Sequence, residues 1–140
     1  MTHEIETQLT RIYEHYSYQL GIVYPPKIAW SKEELYEKYG IDPDTFTKGS
    51  FGAYFAKQNI IYINYEKHQD IQSIEETIMH ELAHCRFPDK VHTEEFFKIL
   101  RDLKNGKTWE NYDRLPNYTI NVISHKISRM VGVLGIKRTN

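Results

Sequence analysis

The segment His80-Glu81-Leu82-Ala83-His84 narrows most strongly what this chain can fold into, because its spacing has chemical meaning only on a helix. Ser73-Ile74-Glu75-Glu76 matches the capping box that opens helices, and Pro88 ends a helix that reaches about Phe87. At about 100° per residue, the apolar residues of this helix fall on one side and the two histidines on another. The apolar side comprises Ile74, Ile78, Leu82 and Cys85.

The two histidines of this segment have the spacing of metal ligands. His80 and His84 are one helical turn apart, so both imidazoles can reach one zinc ion at distances of about 2.0–2.1 Å. Glu81 lies beside them and can accept a proton from a water molecule at the metal without itself binding the metal. The same spacing also arises by chance on solvated helices, but the capped helix, its apolar stripe and a later histidine favour the zinc site.

A catalytic zinc site needs a third protein ligand and an open position for water. His92 is the preferred candidate, because Pro88 ends the helix and the following turn lets the chain reverse toward the metal. Three acidic residues near the same turn remain alternatives: Asp89, Glu94 and Glu95.

The order of these features has a counterpart in a known family. A hairpin precedes His80-Glu81-Leu82-Ala83-His84, and His92 follows with Phe96 four residues later. This arrangement resembles the SprT-like and WLM branch of the zincin metallopeptidases, over about residues 25–103. The resemblance implies a zincin-like fold, one catalytic Zn²⁺ bound by His80, His84 and His92, and Glu81 as the general base. It also implies an extended protein or peptide substrate along an edge strand formed by Ile60-Ile61-Tyr62-Ile63.

The residue chemistry and the resemblance imply the same reaction, hydrolysis of peptide bonds in intracellular proteins. Zinc lowers the pKa of water toward about 7, and Glu81 would take a proton from that water and pass it to the leaving amine. The oxyanion needs a second donor besides the metal. The candidates are Tyr112, Arg114 and Tyr118.

The rest of the pattern predicts an α+β fold, with a small antiparallel or mixed sheet of about three strands flanked by helices. Helices are expected at about 2–20, where Thr2 is the cap, and at 31–40, where Ser31 and Glu34 form a capping box. Strands are expected at 27–30 and in a hairpin of 51–56 and 60–65, and further helices at about 93–105 and from about 119. The helix at 93–105 is expected to point four residues inward: Phe96, Phe97, Leu100 and Leu103.

Length and composition limit the kinds of protein that this chain can be. The 140 residues, with a net charge of −1 and 40% hydrophobic residues, predict a single domain over 1–140 that is neither disordered nor membrane-spanning. The acidic start Met1-Thr2-His3-Glu4 does not match a signal peptide, so a cytoplasmic location is expected. Cys85 is the single cysteine, which excludes an internal disulfide and predicts a small buried hydrophobe.

Positive charge is concentrated toward the C-terminus. Residues 114–140 contain five Lys or Arg and no acid, which leaves 13 Lys and Arg against 19 Asp and Glu elsewhere. This basic, helical segment is either a solvated face or a contact for DNA, with Lys126 and Arg129 as candidate phosphate contacts. A DNA contact would direct hydrolysis to DNA-associated proteins.

Two other functions remain open. An ImmA/IrrE-like antirepressor metallopeptidase would use a glutamate as third ligand in an E-x-x-A setting, which is not evident here. A non-catalytic, zinc-stabilised nucleic-acid-binding module would not need Glu81, so the presence of Glu81 counts against it.

Overall fold

A small sheet and a long helix packed against it organise this α+β protein. A computed structural model describes residues 1–42, 50–88 and 92–108. The helices in these ranges are α1 (His3–Gln19), α2 (Lys32–Tyr39), α3 (Ile71–Arg86) and α4 (Glu94–Lys104). The strands are β1 (Lys27–Ala29), β2 (Gly52–Phe55) and β3 (Ile60–Ile63), and a 3₁₀ turn covers Tyr65–Lys67.

The sheet is mixed, which is one of the two arrangements expected. Its order is β1-β3-β2, with β1 parallel to β3 and β2 antiparallel to β3 as a hairpin. The expectation that Ile60–Ile63 forms an edge was wrong, because this strand lies in the centre and all four of its residues are buried. A continuous apolar run is typical of a strand covered on both faces. The edge of the described sheet next to α3 is β2 instead.

The main core lies between α1, α3 and one face of the sheet. The stripe predicted for α3 is buried, with Ile78 and Leu82 fully inaccessible and Cys85 only 6% exposed. Ile78 and Leu82 pack in one cluster with Leu9 and Ile61. A second cluster covers the other face of the sheet and contains Ala29, Leu35, Ile41, Ile60 and Tyr62. The two clusters explain why β3 is buried on both sides.

The first two helices begin as the sequence predicted. The Thr2 hydroxyl accepts a hydrogen bond from the Ile5 amide at 3.2 Å, and the Ser31 hydroxyl accepts one from the Glu34 amide at 3.1 Å. Gly40 ends α2 in the left-handed region at φ 65°, where glycine avoids the cost of a Cβ.

The start of α3 differs from the prediction. Asp70, not Ser73, is the N-cap, and its carboxylate accepts a hydrogen bond from the Ser73 amide at 2.8 Å. The predicted box Ser73-Ile74-Glu75-Glu76 therefore lies inside the helix. The helix extends one turn further because Asp70 is a strong capping residue and Ile71 packs against the core.

Helix α4 begins at the predicted position but has a different inward face. The Thr93 hydroxyl caps it through the Phe96 amide at 3.2 Å. Phe96, Ile99 and Leu103 are buried, whereas Phe97 is 44% exposed, so the expectation for Phe97 was wrong. Phe97 follows Phe96 by about 100° around the helix and thus lies off the buried face.

Two predicted segments fall outside the described residues. These are the helix expected from about residue 119 and the basic segment 114–140. None of the helices in the described ranges has both the length and the apolar character needed to cross a bilayer.

Replacing Asp70 by alanine tests the new helix start. We expect Asp70→Ala to lower the free energy of unfolding by about 1 kcal/mol, because the Ser73 amide loses its capping acceptor. Ser73→Ala is the matched control and should change stability by less than about 0.5 kcal/mol. Urea denaturation of both variants measures the free energy of unfolding. A larger decrease for Ser73→Ala than for Asp70→Ala would favour the originally predicted capping box.

Candidate metal centre

Three histidine side chains meet at the surface of α3. His80 and His84 lie on α3, and His92 directly precedes the N-cap of α4. Their Nε2 atoms are separated by 3.0 Å for His80 and His84, 3.1 Å for His80 and His92, and 3.2 Å for His84 and His92. These nitrogens form a nearly equilateral triangle, and in the described part of the chain this is the cluster that could hold a metal ion.

The size of the triangle is compatible with a bound zinc ion. Nitrogens that each lie about 2.0–2.1 Å from one tetrahedral ion are themselves about 3.3 Å apart. The observed separations of 3.0–3.2 Å are close to this value. Three neutral imidazoles in mutual contact cannot all hydrogen-bond well, since each Nε2 is either a donor or an acceptor. A shared cation satisfies all three at once.

The electrostatics keep the rings in the form that binds metal. Burial, and then the neighbouring His80 and His92 rings, lower the pKa of His84 to about 4. Burial and His92 also lower the pKa of His80. Both rings are therefore neutral at neutral pH, and a neutral ring offers the lone pair that coordination needs.

His92 reaches the cluster from an uncommon backbone conformation. Its φ of 48° lies in the left-handed region, which costs a residue with a Cβ about 1 kcal/mol or more. Its ring lies between α3 and α4, within 4.9 Å of the His84 ring centroid. The strained residue is the same one that completes the cluster.

The Phe96 ring packs against two of the three histidine rings. Its ring is fully buried and stacks on His84, with centroids 4.4 Å apart and an interplanar angle of 14°. It also contacts the edge of His80 at 5.1 Å between centroids. Phe96 thus fixes the orientation of two rings and excludes water from beneath them.

Glu81 lies on the side of α3 that faces the sheet. Its side chain is buried, with 6% of the residue exposed, and burial raises the pKa of its carboxyl to about 7. A carboxyl with this pKa is close to an equal mixture of its two forms at neutral pH. It can therefore both take up and release a proton beside the three histidines.

Gly52 lets β2 approach this part of α3, and the sequence prediction missed it. A Cβ built on Gly52 would lie 2.8 Å from Thr77 Cγ2, 2.9 Å from the Tyr62 carbonyl oxygen and 3.5 Å from Glu81 Cγ. Only glycine fits without a shift. The available signal was a glycine inside the strand-like run 51–56, which often marks a close backbone approach.

An open cleft of about 360 Å³ lies between β2 and α3. Its lining residues are Phe51, Gly52, Ser73, Glu76, Thr77, His80 and Glu81. His68 braces this wall: its Nε2 lies 2.7 Å from the Thr77 hydroxyl and its Nδ1 2.7 Å from the Asn64 carbonyl oxygen. The His68 ring also packs edge-on against Phe51.

The two alternative third ligands that the structure describes lie outside the cluster. Glu94 and Glu95, two of the alternative third ligands, are exposed in the first turn of α4, outside the metal-binding group. Six further predicted residues lie outside the described ranges: Asp89, Tyr112, Arg114, Tyr118, Lys126 and Arg129.

Comparisons with protein-family models, with curated proteins and with solved structures gave no match to this chain. The interpretation of the site therefore depends on its own geometry.

Removal of His92 tests the metal centre. The full chain should bind one equivalent of Zn²⁺, and His92→Ala should weaken binding by at least about 100-fold, because one of three ligands is lost. His15→Ala is the control, since His15 is an exposed histidine on α1, and should bind as the wild type does. Titration in competition with a chelating dye measures both; equal affinity in all three proteins would contradict the site.

The contact at Gly52 generates a second prediction. Gly52→Ala should lower the free energy of unfolding by about 1–3 kcal/mol, because the new Cβ overlaps Thr77 Cγ2 and the Tyr62 carbonyl. Thr77→Ser removes Cγ2 but keeps the hydroxyl that contacts His68. In the double variant, which carries Gly52→Ala and Thr77→Ser, the second change should therefore recover part of the lost free energy of unfolding. Denaturation of the four proteins gives the coupling, and strictly additive effects would argue against the contact.

Proposed function

We propose that this protein is a zinc-dependent metallopeptidase that resembles the SprT-like and WLM branch of the zincins. The observation that supports the proposal is the triangle of three Nε2 atoms, together with the buried carboxyl of Glu81 that lines the same cleft as His80. Three histidine ligands are typical of catalytic zinc sites that keep one position open, whereas structural sites have four protein ligands. In the described residues the cluster contains three.

The proposed role of each residue follows from the chemistry of its side chain. His80, His84 and His92 would hold the ion through neutral imidazoles. When bound, zinc supplies Lewis acidity that polarises a water molecule and the peptide carbonyl. Glu81 would accept the proton of the attacking water and return it to the leaving amine, a role suited to a carboxyl with a pKa of about 7.

The substrate would lie along β2 rather than along β3. The cleft beside Glu81 opens between β2 and α3, and β2 is the edge of the described sheet on that side. An extended polypeptide that pairs with an edge strand uses main-chain hydrogen bonds, which tolerate many sequences. This favours hydrolysis of peptide bonds in unfolded or extended protein segments.

Replacement of the general base tests the reaction. Glu81→Gln should lower the rate of cleavage of an unfolded protein such as casein by about 10²–10⁴-fold, because no proton acceptor remains. The zinc affinity should be retained, since Glu81 is not a member of the metal-binding group. Glu66→Gln serves as control, because Glu66 is exposed on the 3₁₀ turn.

The outcomes separate the candidate functions. Zinc binding with no cleavage by the wild type would favour a non-catalytic zinc-stabilised module. Cleavage that is equal in wild type and Glu81→Gln would remove Glu81 from the mechanism. Cleavage is measured by gel and by the fluorescence of labelled casein, and zinc binding by titration in competition with a chelating dye.

A further inference from the structure

A second groove begins at His80 on the side opposite the β2 cleft. It runs between α3 and α4, has a volume of about 390 Å³, and we call it the α3–α4 groove. Its apolar wall consists of Met79, Phe97 and Leu100, and its polar rim consists of Glu76, Arg101 and Lys104. Since His80 lines both spaces, the groove adjoins the candidate metal centre.

The apolar wall is suited to a side chain rather than to water. Phe97 is 44% exposed although it is a large apolar residue, and its ring lies nearly parallel to that of His92. Met79, from α3, is almost completely buried, while Leu100 is half-buried. An aliphatic side chain placed between these residues would remove apolar surface from water on both partners.

The rim of the groove has an excess of positive charge. The Lys104 ammonium lies 3.2 Å from the Glu76 carboxylate, so these two charges largely compensate each other. Arg101 is exposed and has no ion pair with any residue in 1–42, 50–88 or 92–108. Among the described residues, the charged side chains that line the β2 cleft are Glu81 and Glu76, and Glu76 lines both spaces.

We propose that the α3–α4 groove is a substrate subsite that takes an aliphatic side chain flanked by an acidic residue. The aliphatic group would pack on Phe97 and Leu100, and the acidic group would meet the Arg101 guanidinium. This inference rests on the proposed peptidase function and names its preferred substrate class.

Peptide binding to the zinc-loaded Glu81→Gln variant tests the subsite without cleavage. The probes are fluorescein-labelled Gly-Ser peptides with a central Glu-Leu-Glu, Lys-Leu-Lys or Glu-Gly-Glu sequence. The Glu-Leu-Glu peptide should bind about threefold to fivefold more tightly than the Lys-Leu-Lys peptide, as expected for contacts between exposed charges. The Glu-Gly-Glu peptide should bind more weakly than Glu-Leu-Glu, because it lacks the aliphatic group.

Charge reversal on α4 supplies the matched comparison. Added to Glu81→Gln, Arg101→Glu should abolish or invert the preference for the acidic peptide. Lys98→Glu makes the same charge change at an exposed position of α4 that does not line the groove, and should keep the preference. Equal preference in both variants, or equal binding of all three peptides, would overturn the proposal.

Cleavage of the same peptides by the wild type separates the two proposals. Charge-selective binding without any cleavage would retain the subsite and reject the peptidase. Cleavage that ignores the flanking charge would retain the peptidase and reject the subsite. Circular dichroism of the variants should match the parent, since both substituted side chains are exposed.

Discussion

The packing of α3 between α1 and the sheet is the constraint on which the candidate site depends. Ile78 and Leu82 are fully buried in the same cluster as Leu9 and Ile61, which fixes the rotation of α3 about its axis. A rotation by one residue, about 100°, would expose this stripe and bury the histidines in the core. The directions of His80, His84 and Glu81 therefore follow from the burial of apolar residues that have no chemical role.

The same helix controls the environment of Glu81 through its contact with β2. Gly52 brings the strand so close that no Cβ fits against Thr77, and this closeness contributes to the burial that raises the pKa of Glu81. A larger residue at 52 would separate strand and helix and admit water. The hydrogen bond between His68 and Thr77 also holds the neighbouring part of the β2 cleft in place. The pKa of Glu81 therefore depends in part on the absence of a side chain at Gly52.

The sequence predicted features governed by local rules and missed those governed by packing. Caps at Thr2 and Ser31, the hairpin and the histidine spacing follow from short-range hydrogen bonds and helical periodicity, and these helix starts and the hairpin were confirmed. The start of α3 was placed too late, since two capping residues compete and only the core decides between them. The central position of β3 depends on pairing with β1, more than thirty residues away. The approach at Gly52 and the exposure of Phe97 likewise depend on neighbours that the sequence pattern does not specify.

Several residues of the candidate site are held in states of unfavourable free energy, which a bound ion would offset. Burial leaves two imidazoles neutral, His92 holds a left-handed backbone, and the Glu81 carboxyl is buried. Each feature costs free energy in the absence of a ligand, because buried polar groups lose hydration and a left-handed backbone brings Cβ close to a carbonyl oxygen. A cation shared by three nitrogens offsets the first two costs and ties the start of α4 to α3. Because the fold brings the three histidines together, an ion held by all three would bind the folded chain more tightly than the unfolded chain, and this difference in binding free energy would add to the free energy of unfolding. The geometry that would suit the site for the proposed catalysis would therefore also couple a bound metal ion to the fold.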